Sequence, residues 1–122
     1  MIKREKYLKR IRPFIDKPVI KVLTGIRRSG KSTLLKQIVE ELLDKGIDTF
    51  RIIHINKELM KFDSIKTYHD LYHYVEQKTS DKSLFYYLFV DEVQEISQWE
   101  KAINSFLAES NYDIFISGSN AR

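Results

Sequence analysis

Residues 25–32 have the types and spacing of a phosphate-binding loop. They read Gly-Ile-Arg-Arg-Ser-Gly-Lys-Ser and match the P-loop pattern G-x-x-x-x-G-K-S/T in full. Glycines let the backbone turn tightly, so that successive N–H groups and the positive end of a following helix point at one phosphate. Lys31 is expected to reach the β- and γ-phosphates, and the Ser32 hydroxyl is expected to ligate Mg²⁺. The spacing therefore predicts binding of a nucleoside triphosphate with magnesium.

The other positions of this loop carry weaker signals. Thr33 either hydrogen-bonds an α-phosphate oxygen or is an ordinary residue of the first helical turn. Arg27 and Arg28 occupy positions that the pattern leaves open, where they are either solvated or raise the positive potential that attracts a nucleotide. Two of the chain's four glycines fall on the two positions that the pattern demands, which argues against a chance turn. The predicted nucleotide-binding residues are Gly25, Arg28, Ser29, Gly30, Lys31, Ser32 and Thr33.

A pair of carboxylates follows the longest apolar run of the chain. Residues 84–90 read Leu-Phe-Tyr-Tyr-Leu-Phe-Val, and Asp91 and Glu92 come next. Such a run is typical of a central parallel strand that is covered on both faces. Asp91 is expected to ligate the metal directly or through water, and Glu92 to act as general base on the attacking water. An ordinary loop start is the alternative, but the position 60 residues after Lys31 in an alternating α/β pattern favours a catalytic role.

A third polar group follows the last predicted strand. Residues 117–120 read Ser-Gly-Ser-Asn, and Ser119 or Asn120 is expected to hydrogen-bond the γ-phosphate or the attacking water. Turn chemistry alone would also explain this tetrapeptide, although its place after the fourth strand favours function. The predicted catalytic residues are Lys31, Glu92, Ser119 and Asn120, and the predicted metal ligands are Ser32 and Asp91. Of the three histidines, His69 and His73 are four residues apart but have no third metal-binding partner at ligand spacing, so the histidines receive no role.

The elements that must position these residues alternate along the chain. A helical face over residues 7–15 is interrupted by Pro13, and Gly46 is expected to end the second helix. The hydrophobic periodicity predicts strands at 19–24, 49–55, 83–90 and 112–116, and helices at 34–43, 68–75 and 99–107. This order implies right-handed βαβ crossovers and a three-layer, mostly parallel α/β sheet.

Composition narrows the class of protein. A length of 122 residues with 43% hydrophobic residues suits one globular domain. The absence of cysteine excludes disulfides and thiolate metal sites. Neither a signal peptide nor an apolar run long enough to cross a bilayer is present, so we expect a cytoplasmic protein without membrane contact.

The charge is distributed unevenly. Residues 1–36 contain 12 Lys and Arg against 2 Asp and Glu, whereas residues 37–122 contain 9 against 15. A polyphosphate site and a solvated helix face explain most of the excess. Nucleic-acid binding by the basic segment 3–12 remains an alternative, because basic residues supply sequence-independent attraction.

Four segments together resemble the predicted archaeal and bacterial ATPases of the AAA+ superfamily. They are residues 25–33, 89–94 (Phe-Val-Asp-Glu-Val-Gln), 99–100 (Trp-Glu) and 116–121 (Ile-Ser-Gly-Ser-Asn-Ala). The resemblance covers nearly the whole chain, and its one departure in the loop is Ile26, where the family more often has proline. It implies Lys31 and Ser32 on nucleotide and Mg²⁺, Asp91 on the metal, Glu92 on water, and Ser119 and Asn120 as sensor one.

The resemblance also implies the order of the strands. The family's order 5-1-4-3-2 would here become 1-4-3-2, with the fifth strand missing and the P-loop strand at an edge that can pair with another chain. Residues 1–17 are then a basic N-terminal helix and 18–122 an incomplete nucleotide-binding core. An arginine finger, sensor two and a C-terminal domain are expected beyond Arg122, so the chain resembles an N-terminal fragment.

Three functions remain open at this point. The first is Mg²⁺-dependent ATP binding and hydrolysis by the intact protein, with a fragment that is weak or inactive alone. The second is a nucleotide switch without turnover, and the third is an ATPase that acts on nucleic acid through its basic segment. A small-molecule kinase is disfavoured because paired carboxylates suit water activation, and the absence of a guanine-reading Asn-Lys-x-Asp motif favours ATP.

Overall fold

A parallel sheet of four strands forms the centre of the part of the chain that the structure, a computed structural model, describes: residues 5–15, 20–23 and 28–118. The strands are β1 (Ile20–Leu23), β2 (Ile52–Asn56), β3 (Tyr86–Asp91) and β4 (Tyr112–Ser117). Their order is β1-β4-β3-β2, and every neighbouring pair is parallel. The expected order 1-4-3-2 is therefore confirmed.

Four α-helices accompany the sheet in these ranges. They are α1 (Glu5–Ile11), α2 (Arg28–Asp44), α3 (Tyr68–Lys78) and α4 (Trp99–Glu109). A short 3-10 turn at Arg12–Phe14 follows α1, at the place where Pro13 was expected to interrupt the helix. None of the helices described is long and apolar enough to cross a membrane.

Two predicted strands begin later than their apolar character suggested. Residues 49–51 form a 3-10 turn, because the N–H of Arg51 donates to the carbonyl of Asp48. Residues 83–85 lie in a turn in which Asp81 accepts hydrogen bonds from both the N–H and the hydroxyl of Ser83. In both places local hydrogen bonds hold the backbone out of the sheet until the next residues pair with a neighbouring strand.

The hydrophobic core is divided between the two faces of the sheet. On one face, Leu88 and Ile114 belong to a buried cluster with residues of α3 and α4. On the other face, Phe89 and Phe115 belong to a cluster with residues of α1 and α2, and their rings stack at 4.5 Å between centroids. Because side chains of a strand alternate between faces, both faces of β3 and β4 are apolar. The result is the expected three-layer α/β arrangement.

The first helix is part of this core. Leu8, Ile11 and Ile15 are all less than 10% exposed and pack with the α2 side of the sheet. Arg12 donates from Nε and a terminal nitrogen to the two carboxylate oxygens of Glu41 on α2, at 3.1 and 2.5 Å. A bidentate pair of this kind fixes the geometry of the two groups. Arg12 therefore binds the protein's own helix, which weakens the argument that this segment is a nucleic-acid arm.

The helix ends follow the residues expected to form them. Gly46, two residues after the last residue of α2, has φ +92°, a left-handed conformation that glycine adopts without a steric penalty, so the expected C-cap is confirmed. Helix α3 begins with a capping box: Asp70 N–H donates to Thr67 Oγ1, and Asp70 Oδ2 accepts from the N–H of Thr67. Hydrogen bonds from the backbone N–H groups of Lys66 and Thr67 lower the pKa of Asp70.

Candidate active site

The candidate site lies at the carboxyl edge of the sheet, where parallel α/β sheets bind their ligands. Across this edge, Leu23 of β1 pairs with Ser117 of β4, and Asn56 of β2 pairs with Asp91 of β3. Strands β3 and β4 are neighbours as well, with Val90 beside Ile116. The last residue of every strand therefore stands in one row, and the strand that precedes the P-loop is part of it.

Asp91 lies at the centre of this row and is fully buried. Its Oδ1 accepts a hydrogen bond from the hydroxyl of Ser117 on the neighbouring strand. Asp91 follows Phe89 by two residues, and Ser117 follows Phe115 by two, so both side chains lie on the face that α2 covers. The carboxylate thus faces the side of the sheet on which the helix of the phosphate-loop motif packs.

The neighbouring carboxylate, Glu92, is held through both its backbone and its side chain. Its φ of 59° and ψ of 50° are left-handed values, which are uncommon for a residue other than glycine. Its N–H lies 3.4 Å from Ser117 Oγ, and its Oε1 accepts a hydrogen bond of 2.6 Å from Gln94 Nε2. The side chain is only 4% exposed. Strained residues of this type cluster at functional sites, because the surroundings must maintain them.

The turn after Glu92 explains how Gln94 reaches it. The left-handed backbone at Glu92 leads directly into a 3-10 turn at Val93–Glu95. Val93 is completely buried and anchors the turn in the core on the α3 and α4 side. Val93 is then the one residue between Glu92 and Gln94, whose amide donates to the Glu92 carboxylate.

The predicted phosphate-binding residues fall in two parts of the chain. Residues 28–32 form the start of α2, which begins five residues after β1 ends, and Thr33 follows them as a partly buried residue. The first N–H groups of any helix have no partner within the helix and can face an anion. Gly25 and the predicted sensor residues Ser119 and Asn120 lie outside the described residues.

Two residues that contact the carboxylates received no role from sequence reasoning. Ser117 is the last residue of β4 and contacts both Asp91 and Glu92, although only the residues after it were predicted as sensors. Gln94 was noted as part of a motif without a function. The sequence offered two signals for them. Ser117 is a polar residue that directly ends an apolar strand, and Gln94 is an amide two residues after Glu92.

The donor set fits magnesium better than a metal that needs a complete protein cage. Among the described residues no cluster of three or more His, Asp or Glu side chains could hold a metal ion. Magnesium keeps several waters and is usually held by one or two carboxylates together with substrate phosphates. The buried carboxylate of Asp91, on the face of the sheet that α2 covers, meets that requirement.

Comparisons with known proteins agree with this arrangement. The family model described as "AAA domain" matches residues 17–122. The chain belongs to the AAA domain family. An uncharacterized protein of Haemophilus influenzae is 37% identical over 121 residues, which are 99% of this chain and 30% of that protein. An uncharacterized protein of Methanocaldococcus jannaschii is 30% identical over 103 residues, which are 84% of this chain and 22% of that protein. The chain thus spans less than a third of the length of these relatives.

A solved structure supports the fold independently of sequence. The crystal structure of Cdc6p from Pyrobaculum aerophilum matches 96% of this chain and 39% of its own, with a TM-score of 0.66 at 15% identity. At that identity the likeness establishes architecture alone. Together with the family match, it identifies the chain as an AAA+ P-loop ATPase-like domain.

Proposed function

We propose that the intact protein binds ATP with Mg²⁺ and hydrolyses it, and that this chain supplies the nucleotide-binding part. The observation that carries the proposal is the pair of buried carboxylates at the end of β3. Asp91 and Glu92 both contact Ser117, and Ser117 pairs with Leu23 of the strand that leads into the phosphate-loop motif of an AAA domain. Residues 18–122 would form the nucleotide-binding core, with α1 and the turn after it as an extension packed on α2.

ATP binding would rest on residues 25–33. Successive backbone N–H groups of the loop and of the first turn of α2 would hold the β-phosphate, while Lys31 would balance the charge on the β- and γ-phosphates. Ser32 and Asp91 are the proposed ligands of Mg²⁺, which would supply positive charge at the phosphate oxygens. Burial of Asp91 supports this role, since a buried carboxylate is normally paired or metal-bound.

Hydrolysis would rest on Glu92 as general base. Ser117 contacts the backbone N–H of Glu92, and the hydrogen bond from Gln94 orients its carboxylate, as a base requires if it is to accept a proton from one particular water. Ser119 or Asn120 would hydrogen-bond the γ-phosphate or that water. An arginine finger outside residues 1–122 would complete the site, because such a residue raises phosphoryl-transfer rates by about 10³ to 10⁵.

Phosphate release by the full-length protein and its Glu92→Gln variant tests this function. We expect the variant to bind ATP with unchanged affinity and to release phosphate about 10² to 10⁴ times more slowly, which is the usual contribution of a general base. Glu95→Gln is the matched control, because Glu95 lies in the same turn but is exposed. Equal rates for wild type and Glu92→Gln would exclude Glu92 as the base. A wild-type protein that binds ATP without releasing phosphate would instead be a nucleotide switch.

A further inference from the structure

A cavity of about 440 Å³ opens at the outer edge of β2, and none of the predicted site residues lines it. Its walls come from the turn before β2, from β2 itself, from the turn after it and from α3. Among the residues described, its lining includes two lysines and a histidine but no Asp or Glu. The volume is within the range of ligand-binding pockets in proteins. The lining therefore favours a ligand that carries negative charge.

His54 presents an unpaired backbone edge to this cavity. The N–H of Lys57 donates to the carbonyl of Asp91 on β3 at 3.1 Å. In a parallel pair alternate residues of a strand face the same neighbour, so Ile53, Ile55 and Lys57 face β3 while the N–H and C=O of His54 face outward. Within the described ranges neither group has a hydrogen-bond partner, and the buried Nε2 of the same residue has none either.

The cations at the cavity rest on aromatic rings. Lys61 Nζ lies 5.2 Å from the centroid of Phe62, and Lys78 Nζ lies 5.5 Å from the centroid of Tyr74. Neither lysine forms an ion pair with a carboxylate in the part of the chain that the structure describes. An ammonium on a ring face keeps its charge available to a second, anionic group. The two lysines belong to different elements and therefore offer two separate positions for carboxylates.

Apolar surface adjoins the same edge. The side chain of Phe50, which lines the cavity, is 59% exposed, and that of Met60, beside Lys61, is 90% exposed. Large apolar side chains exposed together commonly mark an interaction surface. An open strand edge, apolar walls and flanking cations are the features with which sheets bind extended peptides by strand addition.

We infer that the outer edge of β2 binds an extended acidic peptide segment of a partner protein. One peptide residue would hydrogen-bond the N–H and C=O of His54, a neighbouring apolar side chain would enter the cavity, and carboxylates would meet Lys61 and Lys78. Hydrophobic burial and main-chain pairing would provide affinity, and the two lysines would select acidic sequences. The inference is independent of ATP binding and hydrolysis, because it uses no residue of the candidate active site.

The test uses the full-length protein and a blocked, fluorescently labelled hexapeptide of alternating leucine and glutamate. Binding is measured by fluorescence anisotropy for wild type, for the double variant Lys61→Glu/Lys78→Glu, and for Lys101→Glu as control. Lys101 lies on α4 and does not line the cavity. We expect saturable binding to wild type, a loss of about tenfold or more in the double variant, and less than about twofold change in the control.

Three further probes decide between occupants. The same peptide N-methylated at every backbone nitrogen cannot donate a hydrogen bond to a strand edge and is expected to lose binding, as is a leucine and lysine hexapeptide. Acetate, added while the ionic strength is held constant, is expected not to compete with the peptide. Equal binding of the N-methylated or the lysine peptide, or of the double variant, would overturn the proposal. Full competition by acetate would mark the cavity as a small-anion site, and an absence of peptide binding would also refute strand addition.

Discussion

At the scale of single residues, both the backbone and the side chain of Glu92 are held in place by hydrogen bonds. A left-handed conformation outside glycine costs about 1–2 kcal/mol, so the surrounding contacts must maintain it. Ser117 holds the backbone side and Gln94 the carboxylate side, at 3.4 and 2.6 Å. Gln94 is partly buried, and its Oε1 has no hydrogen-bond partner among the described residues. We therefore regard Gln94 as a positioning residue for Glu92.

The substitution Gln94→Met removes the hydrogen bond while preserving side-chain length. We expect phosphate release by the full-length protein to slow about tenfold, because hydrogen bonds to charged groups contribute about 1.5–3 kcal/mol. ATP affinity should stay unchanged, since Gln94 is not among the proposed nucleotide contacts. Gln77→Met, at an exposed position of α3, is the control. A Gln94→Met protein with a wild-type rate would show that the contact does not position the base.

A second residue-scale prediction concerns His54 and pH. Burial lowers the pKa of His54, and repulsion from Lys36 and Lys61 acts in the same direction, whereas Asp91 opposes it. The unfolded chain takes up this proton near pH 6.5, but the folded chain resists it, so stability is full above about pH 6.5 and falls as the pH drops below it. His54→Gln should reduce the difference between the urea midpoints at about pH 7.5 and about pH 5. His73→Gln, at an exposed site, should leave that difference as it is in wild type.

At the scale of elements, one buried ion pair joins the first strand to the fourth. Lys21 of β1 donates to Asp113 of β4, and both side chains are almost completely buried. The ammonium also lies 5.1 Å from the centroid of Phe115. Taking both charges out of water is unfavourable, so burial of this pair is weak evidence for a gain in stability. The ion pair joins β1, which is the strand before the phosphate loop, to β4.

Removing one partner of the ion pair between Lys21 and Asp113 should lower the stability of the fold. Asp113→Leu leaves the Lys21 ammonium buried without this carboxylate, and we expect the free energy of unfolding to fall by about 3–5 kcal/mol. The double variant Lys21→Met/Asp113→Leu should recover most of the loss. Urea unfolding followed by the fluorescence of Trp99, the chain's single tryptophan, measures both. A double variant as unstable as Asp113→Leu would mean that packing, and not charge, determines the effect.

The elements also show what sequence could predict. Apolar runs and helical periodicity predicted every strand and every α-helix of the described residues, although not the short 3-10 turns, and the strand order followed from the family resemblance. Strand starts at 49 and 83 were wrong because the turns at Asp48 and Asp81 satisfy local hydrogen bonds first. Side-chain contacts between strands could not be predicted from local sequence patterns. The contact of Ser117 with Asp91 joins residues 26 positions apart, and that of Lys21 with Asp113 joins residues 92 positions apart. Roles in catalysis stay predictions until the variants are measured.

At the scale of the whole molecule, the sheet described has two open edges of different character. The β2 edge has a cavity, lysines beside aromatic rings and the outward-facing backbone groups of His54. The β1 edge is four residues long, and Val22 on it is 40% exposed. No strand of the described residues pairs with the outer side of β1. Such an edge binds another strand readily, whether from the same protein or from a second copy.

A polypeptide of these 122 residues alone is therefore expected to self-associate or to unfold at low temperature. Pairing of two β1 edges would bury apolar surface and backbone groups that otherwise face water. The paired fraction, and with it the apparent stability, should rise with protein concentration. Sedimentation velocity across about a hundredfold range of concentration, together with thermal unfolding at each concentration, measures both effects. Val22→Lys places a charge on the edge and should reduce association, since natural sheets use lysine to block edge pairing. Lys101→Glu on α4 is the control for a surface change elsewhere. A monomer with a cooperative, high-temperature transition at every concentration would show that β1 needs no further strand.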